Sequence, residues 1–332
     1  MKKFRYGPLF MLALVVSVIP SCTRSVEVGN VPDSKNASKS VSMRIVTDDL
    51  ERRITVPVNV KRVVSTAPSA TEMIFAVGAG DRLVGVTTFC DYPEEAKSIA
   101  KIGDTMNPNI ETIIALRPDI VFVSTASQLE TFMKTFEQNE IAIYVMNPTS
   151  FDGVFQTLLR VADVLGTTEQ TEPLVSNLSG RRALITHLVS SVEPGEERKV
   201  LPRVFVQISK EPLFTIGKES YLTDVIAMAY GSSVTREVPT AYPKLSKETA
   251  VALNPQVIIL SDSEDNQEPN DAFKNSQAVK NGQVHKVNAD ILSRPGPRLV
   301  DALEQIAFLL HPDVHKTKVI ENSTGKTVNI LN

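Results

Sequence analysis

The chain has 332 residues, a formal charge of −3 and a mean hydropathy of −0.02, with 42% hydrophobic and 22% charged residues. This is the make-up of a soluble globular protein long enough for two domains, each with its own core. No dense basic stripe occurs, which argues against nucleic-acid binding.

Residues 1–22 read as an export signal. Lys2, Lys3 and Arg5 form a charged start, and Leu9–Ile19 is apolar apart from Ser17. That run falls short of the roughly 20 residues a membrane-spanning helix needs. It ends in Ile19-Pro20-Ser21-Cys22, which resembles the lipobox of bacterial lipoproteins, although Pro20 replaces the usual small residue. The resemblance implies acylation of Cys22 and a lipid anchor; ordinary cleavage nearby, with Cys22 incidental, is the alternative. The other cysteine, Cys90, then lacks a partner, and no internal disulfide is expected. Residues 23–43 are rich in Ser, Asn, Val, Lys and Gly without periodicity, and are expected to form a flexible tether.

From residue 44 to 150 the pattern predicts an α/β lobe. Arg44–Thr47 and Arg52–Val56 flank an acidic turn and read as a hairpin. Strands are expected at Val63–Thr66, Leu83–Thr88, Ile120–Ser124 and Ile141–Met146. Helices are expected from Ser69 to Val77, over Ile110–Leu116 and over Gln128–Gln138. Ser69 and Glu72 have the spacing of a capping box. The βαβα order argues for a largely parallel sheet. Two helices follow in residues 151–197, Phe151–Leu165 and Glu169–Val192. The second, at about 1.5 Å per residue, reaches roughly 36 Å, enough to connect two lobes. After the polar linker Glu193–Glu197, residues 198–312 predict a second α/β lobe. Its helices are expected at Tyr221–Ala229, Lys247–Leu253 and Arg298–Leu310, and its strands at Arg203–Ile208, Val257–Leu260 and Val284–Val287. Residues 313–332 read as a polar tail that adds little. The expected fold class is α/β, two lobes with mostly parallel sheets joined by a long connecting helix.

One segment occurs twice. In residues 109–124 and 246–261 a capping residue (Asn109, Ser246) is followed, at matching places, by Glu, Thr, Ala, Leu, Pro and Ser. Each copy predicts a capped short helix, a proline after its end, and a buried strand. Glu111 and Glu248 share a first-turn position, where a carboxylate favours the helix dipole by about 0.3–1 kcal/mol. Capping accounts for either glutamate. A matching acidic knob on each lobe would account for both. The residues alone leave both explanations open.

Residues 62–99 carry Arg-Val-Val-Ser-Thr-Ala-Pro-Ser-Ala-Thr-Glu, Val-Gly-Ala-Gly-Asp-Arg-Leu-Val-Gly-Val-Thr and Cys-Asp-Tyr-Pro-Glu-Glu-Ala. With Asn-Ile-Glu-Thr-Ile-Ile-Ala-Leu-Arg-Pro-Asp, Leu-Phe-Thr-Ile-Gly-Lys-Glu-Ser (213–220), Tyr-Pro-Lys-Leu-Ser-Lys-Glu (242–248) and Leu-Ser-Arg-Pro-Gly-Pro-Arg-Leu-Val-Asp-Ala-Leu (292–303), the chain resembles the cobalamin- and ferric-siderophore-binding proteins of ABC importers, closest to the cobalamin branch. The resemblance covers about residues 44–312. It implies a ligand held between two lobes, little hinge closure, and docking of Glu111 and Glu248 onto basic residues of the permease. It also implies a permease and ATPase as partners, and a monomer exported to the periplasm or cell exterior.

Ligand contacts carried over from the cobalamin branch are Phe89 and Tyr92 in the first lobe and Phe214 and Tyr242 in the second, with Asp290 and Arg294 as a polar pair. Aromatic faces at a lobe interface suit a large, flat, partly apolar ligand such as a corrin. Core packing of the aromatics and a surface ion pair are the plainer explanations. The cobalamin binders resembled here place tryptophans in the cleft. This chain has none, and Tyr242 and Met106-Asn107 stand where two are expected. A ferric siderophore or haem, with Arg294 or Arg298 pairing with its carboxylates, is therefore the alternative cargo; an adhesive or structural surface lipoprotein is the alternative of another class. No Gly-x-Ser-x-Gly, His-Glu-x-x-His or phosphate-binding loop occurs, so an enzyme is not expected. His311 and His315 lack nearby ligands beyond Asp313, and neither a metal site nor a cofactor is expected.

Overall fold

The computed structural model describes residues 42–125, 129–191 and 201–316. The export signal, Cys22, nearly all of the tether, the linker at 193–197 and the end of the tail lie outside the described residues.

A hairpin of β1 (Met43–Thr47) and β2 (Arg53–Pro57) opens the fold. Its turn is an anchor, with Asp48 fully buried. The Asp48 carboxylate accepts from the backbone N–H groups of Leu50, Arg52 and Val145 and pairs with the Arg52 guanidinium at 2.7 Å. A buried carboxylate is tolerated where its oxygens are filled in this way.

The first lobe is a four-stranded parallel sheet, ordered β4 (Leu83–Val86), β3 (Val63–Ser65), β5 (Ile120–Ser124) and β6 (Ala142–Met146). Its helices are α1 (Pro68–Ala76), α2 (Ile110–Ala115) and α3 (Leu129–Gln138). α4 (Phe151–Leu165) and α5 (Thr168–Ser191) follow. Ser150 caps α4 by accepting from Gly153 N–H, and Gly166 ends it at φ 66°, a left-handed turn that glycine adopts without strain.

The second sheet runs β11 (Val284–Asn288), β10 (Val257–Asp262), β7 (Arg203–Ser209) and β8 (Phe214–Thr215), with β9 (Ser232–Ser233) also on β7. All its pairings are parallel except β7 with β8. Its helices are α6 (Tyr221–Met228), α7 (Lys247–Leu253), α8 (Gln277–Lys280), α9 (Ala289–Ser293), α10 (Leu299–Leu310) and α11 (Pro312–Lys316). The molecule is thus an α/β protein of two mostly parallel sheets.

One hydrophobic cluster runs through both lobes. It joins Val63 and Phe122 of the first sheet, Leu178, Ile185 and Val189 of α5, and Val204, Ile259 and Leu303 of the second lobe. Arg181 of α5 adds ion pairs to Asp301 at 2.8 Å and Glu304 at 3.0 Å on α10. Two smaller clusters pack beneath α2 and α3, and beneath α7 and α8.

Two sequence expectations are corrected. The Ser69–Glu72 capping box does not form, because α1 starts one residue earlier at Pro68, whose fixed φ suits a first helical position, and Ala67 caps it without a side-chain bond. Order also extends past Asp313. Val314 of α11 packs into the large cluster at 2% exposure.

Candidate functional site

The repeated segment builds the same corner in each lobe. Asn109 caps α2 by accepting from Thr112 N–H at 2.9 Å, and Ser246 caps α7 by accepting from Thr249 N–H at 3.1 Å. Each helix is followed by a residue of positive φ at the same repeat position, Arg117 (49°) and Asn254 (40°), ahead of Pro118 or Pro255.

The match continues in side chains beyond the repeat. Asp119 accepts from Arg62 N–H at 2.9 Å, and Gln256, its counterpart, accepts from Arg203 N–H at 2.9 Å. The guanidinium of Arg62 donates to the Leu116 carbonyl at 2.6 Å, and that of Arg203 to the Leu253 carbonyl at 2.5 Å. Each arginine thereby fills a carbonyl that the end of its short helix leaves open. Glu111 and Glu248 are exposed in their first turns. For Glu248, backbone and Ser246 hydrogen bonds hold the carboxyl below its ordinary range.

The loops that follow the parallel strands, where ligands bind in open α/β folds, lead into the N-terminal ends of α2 and α7. Here the two lobes meet through charge. Glu72 of α1 is almost fully buried, and its carboxylate receives Arg298 through two bonds, Nε to Oε2 at 2.9 Å and Nη2 to Oε1 at 2.5 Å. Arg294 donates through Nη1 to Glu72 at 3.0 Å and to Asp91 at 2.8 Å, and through Nη2 to Asp290 at 2.7 Å. The Arg298 guanidinium also lies 4.0 Å from the centroid of the Tyr92 ring, a cation–π stack between lobes.

These contacts set the protonation of the cluster. Burial raises the Asp91 carboxyl, but the hydrogen bond and charge of Arg294 outweigh it and leave Asp91 below the ordinary carboxylate range. Burial likewise works against both charged arginines. Bonds to Asp91 and Glu72 nevertheless raise Arg294, and the Glu72 carboxylate raises Arg298.

Of the aromatic candidates, Phe89, Tyr92 and Tyr242 are exposed, and Phe214 is half-buried in β8. Residues 213–217 run antiparallel to 241–245 through Thr215 N–H to Pro243 O and Gly217 N–H to Ala241 O. This register makes Phe214 and Tyr242 diagonal neighbours on one face. Gly217 is required there, because a Cβ would lie 2.0 Å from the Thr240 carbonyl oxygen. Tyr221 donates to the Leu292 carbonyl at 2.7 Å. Burial first, then Tyr242, push the Tyr221 phenol well above its ordinary range. The bond to Leu292 ties Tyr221 to the chain just before Arg294. Met106 is exposed beside a turn in which Asp104 accepts from Met106 and Asn107 N–H. His311 directs Nε2 at the Ala229 carbonyl, and among the described residues no group of three His, Cys, Asp or Glu side chains converges as metal ligands.

A model of the family described as periplasmic binding protein matches residues 63–290. The chain belongs to that family. Among similar proteins, an uncharacterized ABC transporter substrate-binding lipoprotein of Bacillus subtilis, YvrC, is 29% identical over 95% of this chain and 100% of its own length. A vitamin B12-binding protein of Pectobacterium carotovorum is 29% identical over 75% of this chain and 88% of its own. The crystal structure of a periplasmic vitamin B12-binding protein of Vibrio cholerae superposes with a TM-score of 0.65 at 27% identity, covering 78% of this chain and 100% of that one. A periplasmic haem-binding protein of Roseiflexus shares the fold, with a TM-score of 0.66 at 21% identity, 77% of this chain and 100% of that one being covered.

In this periplasmic binding protein the cluster around Glu72 escaped the sequence reading, which assigned Glu72 to a helix cap. A signal was present. Glu72 is the sole charge in the helix Pro-Ser-Ala-Thr-Glu-Met-Ile-Phe-Ala, and a carboxylate on an apolar helix needs cationic partners from elsewhere in the fold. Asp290 and Arg294 do pair with each other, but Arg294 reaches the first lobe as well.

Proposed function

We propose that this protein is the ligand-binding component of an ABC importer, capturing cobalamin or a related corrinoid and delivering it to a permease driven by its ATPase. The carrying observation is the set of exposed rings on both lobes, Phe89 and Tyr92 in the first and Tyr242 in the second, together with the charged contact of Arg294 and Arg298 between the lobes. Flat apolar faces with a few fixed polar groups between them suit a corrin ring and its peripheral amides. Similar proteins named for vitamin B12 binding support the same cargo. Phe89, Tyr92, Phe214 and Tyr242 would contact the ring, and Asp290 and Arg294 its polar side chains. Glu111 and Glu248 would dock on the permease. The chain is exported and held to a bacterial membrane by an acyl group on Cys22, consistent with the lipoprotein relative. Among the described residues no helix is long and apolar enough to cross a membrane.

The test is equilibrium titration of the purified protein with cobalamin, haem and a ferric siderophore. Micromolar or tighter binding of cobalamin alone is the expected result. Haem or siderophore binding in its place replaces the cargo, and no binding of any of the three overturns the importer reading.

A further inference from the structure

The cleft cluster has a layered arrangement of charge. Glu72 lies deepest with 2% of its side chain exposed, and Arg294 and Arg298 lie above it at 11% and 18%. The outermost groups are carboxylates, with Asp91 at 52% and Asp290 at 38% exposure. A ligand entering between the lobes therefore meets acceptor oxygens before it meets a guanidinium. The arginines are also engaged. Arg294 gives both terminal nitrogens to carboxylates, and Arg298 gives Nε and Nη2 to Glu72 while its face is covered by Tyr92. Three carboxylates against two guanidinium groups leave one net negative charge. Two lysines of the adjoining loop bond outside the cluster, Lys97 to Glu94 at 2.6 Å, with a weaker charge interaction with Asp91, and Lys101 to the carbonyls of Cys90 and Ala96.

We infer that Glu72 is a positioning residue for ligand selectivity: by occupying both cleft arginines from below, it leaves an acceptor-lined, net-negative surface that takes donor-bearing, uncharged side chains and rejects carboxylate-bearing ligands. Two free arginines at this place would do the opposite, since a guanidinium fork matches a carboxylate in a bidentate way. Primary amides and hydroxyls donate to Asp91 and Asp290 without a charge penalty. A ligand carboxylate would have to displace Glu72 from two partners and lie beside two exposed carboxylates. The inference rests on the reading of the cleft as a corrinoid site, and it narrows that reading to the amidated class. It also departs from the sequence-based expectation that Arg294 or Arg298 would pair with ligand carboxylates.

The experiment compares two probes by calorimetric titration: a dicyano corrinoid with peripheral amides, and the same ring with free carboxylates in their place. The wild-type protein is expected to bind the amide form at least about a hundred-fold more tightly, and Glu72→Gln to lower that ratio about ten-fold, the scale of one partly screened charge at contact distance. Asp91→Asn, at an exposed position outside the core, is expected to lower the ratio in the same direction and decides the matter if Glu72→Gln does not fold. A simple structural defect would weaken both probes alike and leave the ratio where it was. Equal wild-type affinities, a wild-type preference for the carboxylate form, or a ratio unchanged in the variants that fold overturns the inference while the corrinoid reading stands. Binding of neither probe to the wild type removes both.

Discussion

The two lobes are near copies at the corners built by the repeat and complements where they face each other. At the outer corners, Arg62, Asn109, Arg117 and Asp119 are matched role for role by Arg203, Ser246, Asn254 and Gln256. At the cleft, lobe one supplies a buried carboxylate and lobe two supplies the two arginines that meet it. Two faces that must meet each other cannot stay identical, because like charges would then oppose one another.

The comparison can be broken from either end. Replacing both outer glutamates, Glu111→Ala with Glu248→Ala, is expected to leave ligand affinity intact and to cut uptake by more than about ten-fold, as loss of two interfacial charge pairs would. Each single variant should cost a similar part. Unchanged uptake in cells would assign the glutamates to capping alone.

At the cleft, Arg298→Ala leaves Glu72 with Arg294 as its remaining partner. Stability should fall toward the low end of the roughly 3–5 kcal/mol seen when buried pairs are broken. Urea unfolding measures it, and a change below about 0.5 kcal/mol would mean that the lobes are held by the hydrophobic cluster without this contact.

Smaller effects sharpen the equivalence of the corners. Arg62→Ala and Arg203→Ala should each cost about 1 kcal/mol for the lost carbonyl bonds, and unequal losses would show that the copies have drifted in energetic weight. Smallest of all, Arg117→Gly should stabilise by up to about 1 kcal/mol by relieving the left-handed backbone, whereas Asn254→Gly should gain nothing, because asparagine tolerates that conformation and its Oδ1 accepts from Gln277 N–H at 3.0 Å. Thermal unfolding midpoints report both, and destabilisation by Arg117→Gly would contradict this account.

The legible parts share a physical cause. α4 and α7 have the bounds expected from the sequence, and the structure shows local signals at their ends, an N-cap serine before each and Gly166 or Asn254 after. The buried strands β5 and β10 announced themselves as apolar runs after a proline. Where the reading failed, the deciding partner was far away in the chain. Ser69 and Glu72 fit a local capping rule, yet Glu72 bonds residues 222 and 226 positions later. Val314 stands at the start of a tail read as polar but packs into a cluster assembled from both lobes.

The sequence by itself determined the two α/β lobes, the long helix between them and the duplicated corner with its first-turn glutamates. Short-range periodicity and capping carry that information, and both are written within a few turns of chain. Only the tertiary structure decided that Arg294 and Arg298 are held by Glu72 and Asp91, and so which charge the cleft presents. The energy of a buried charge depends on what else is brought beside it, and no local stretch of sequence specifies that.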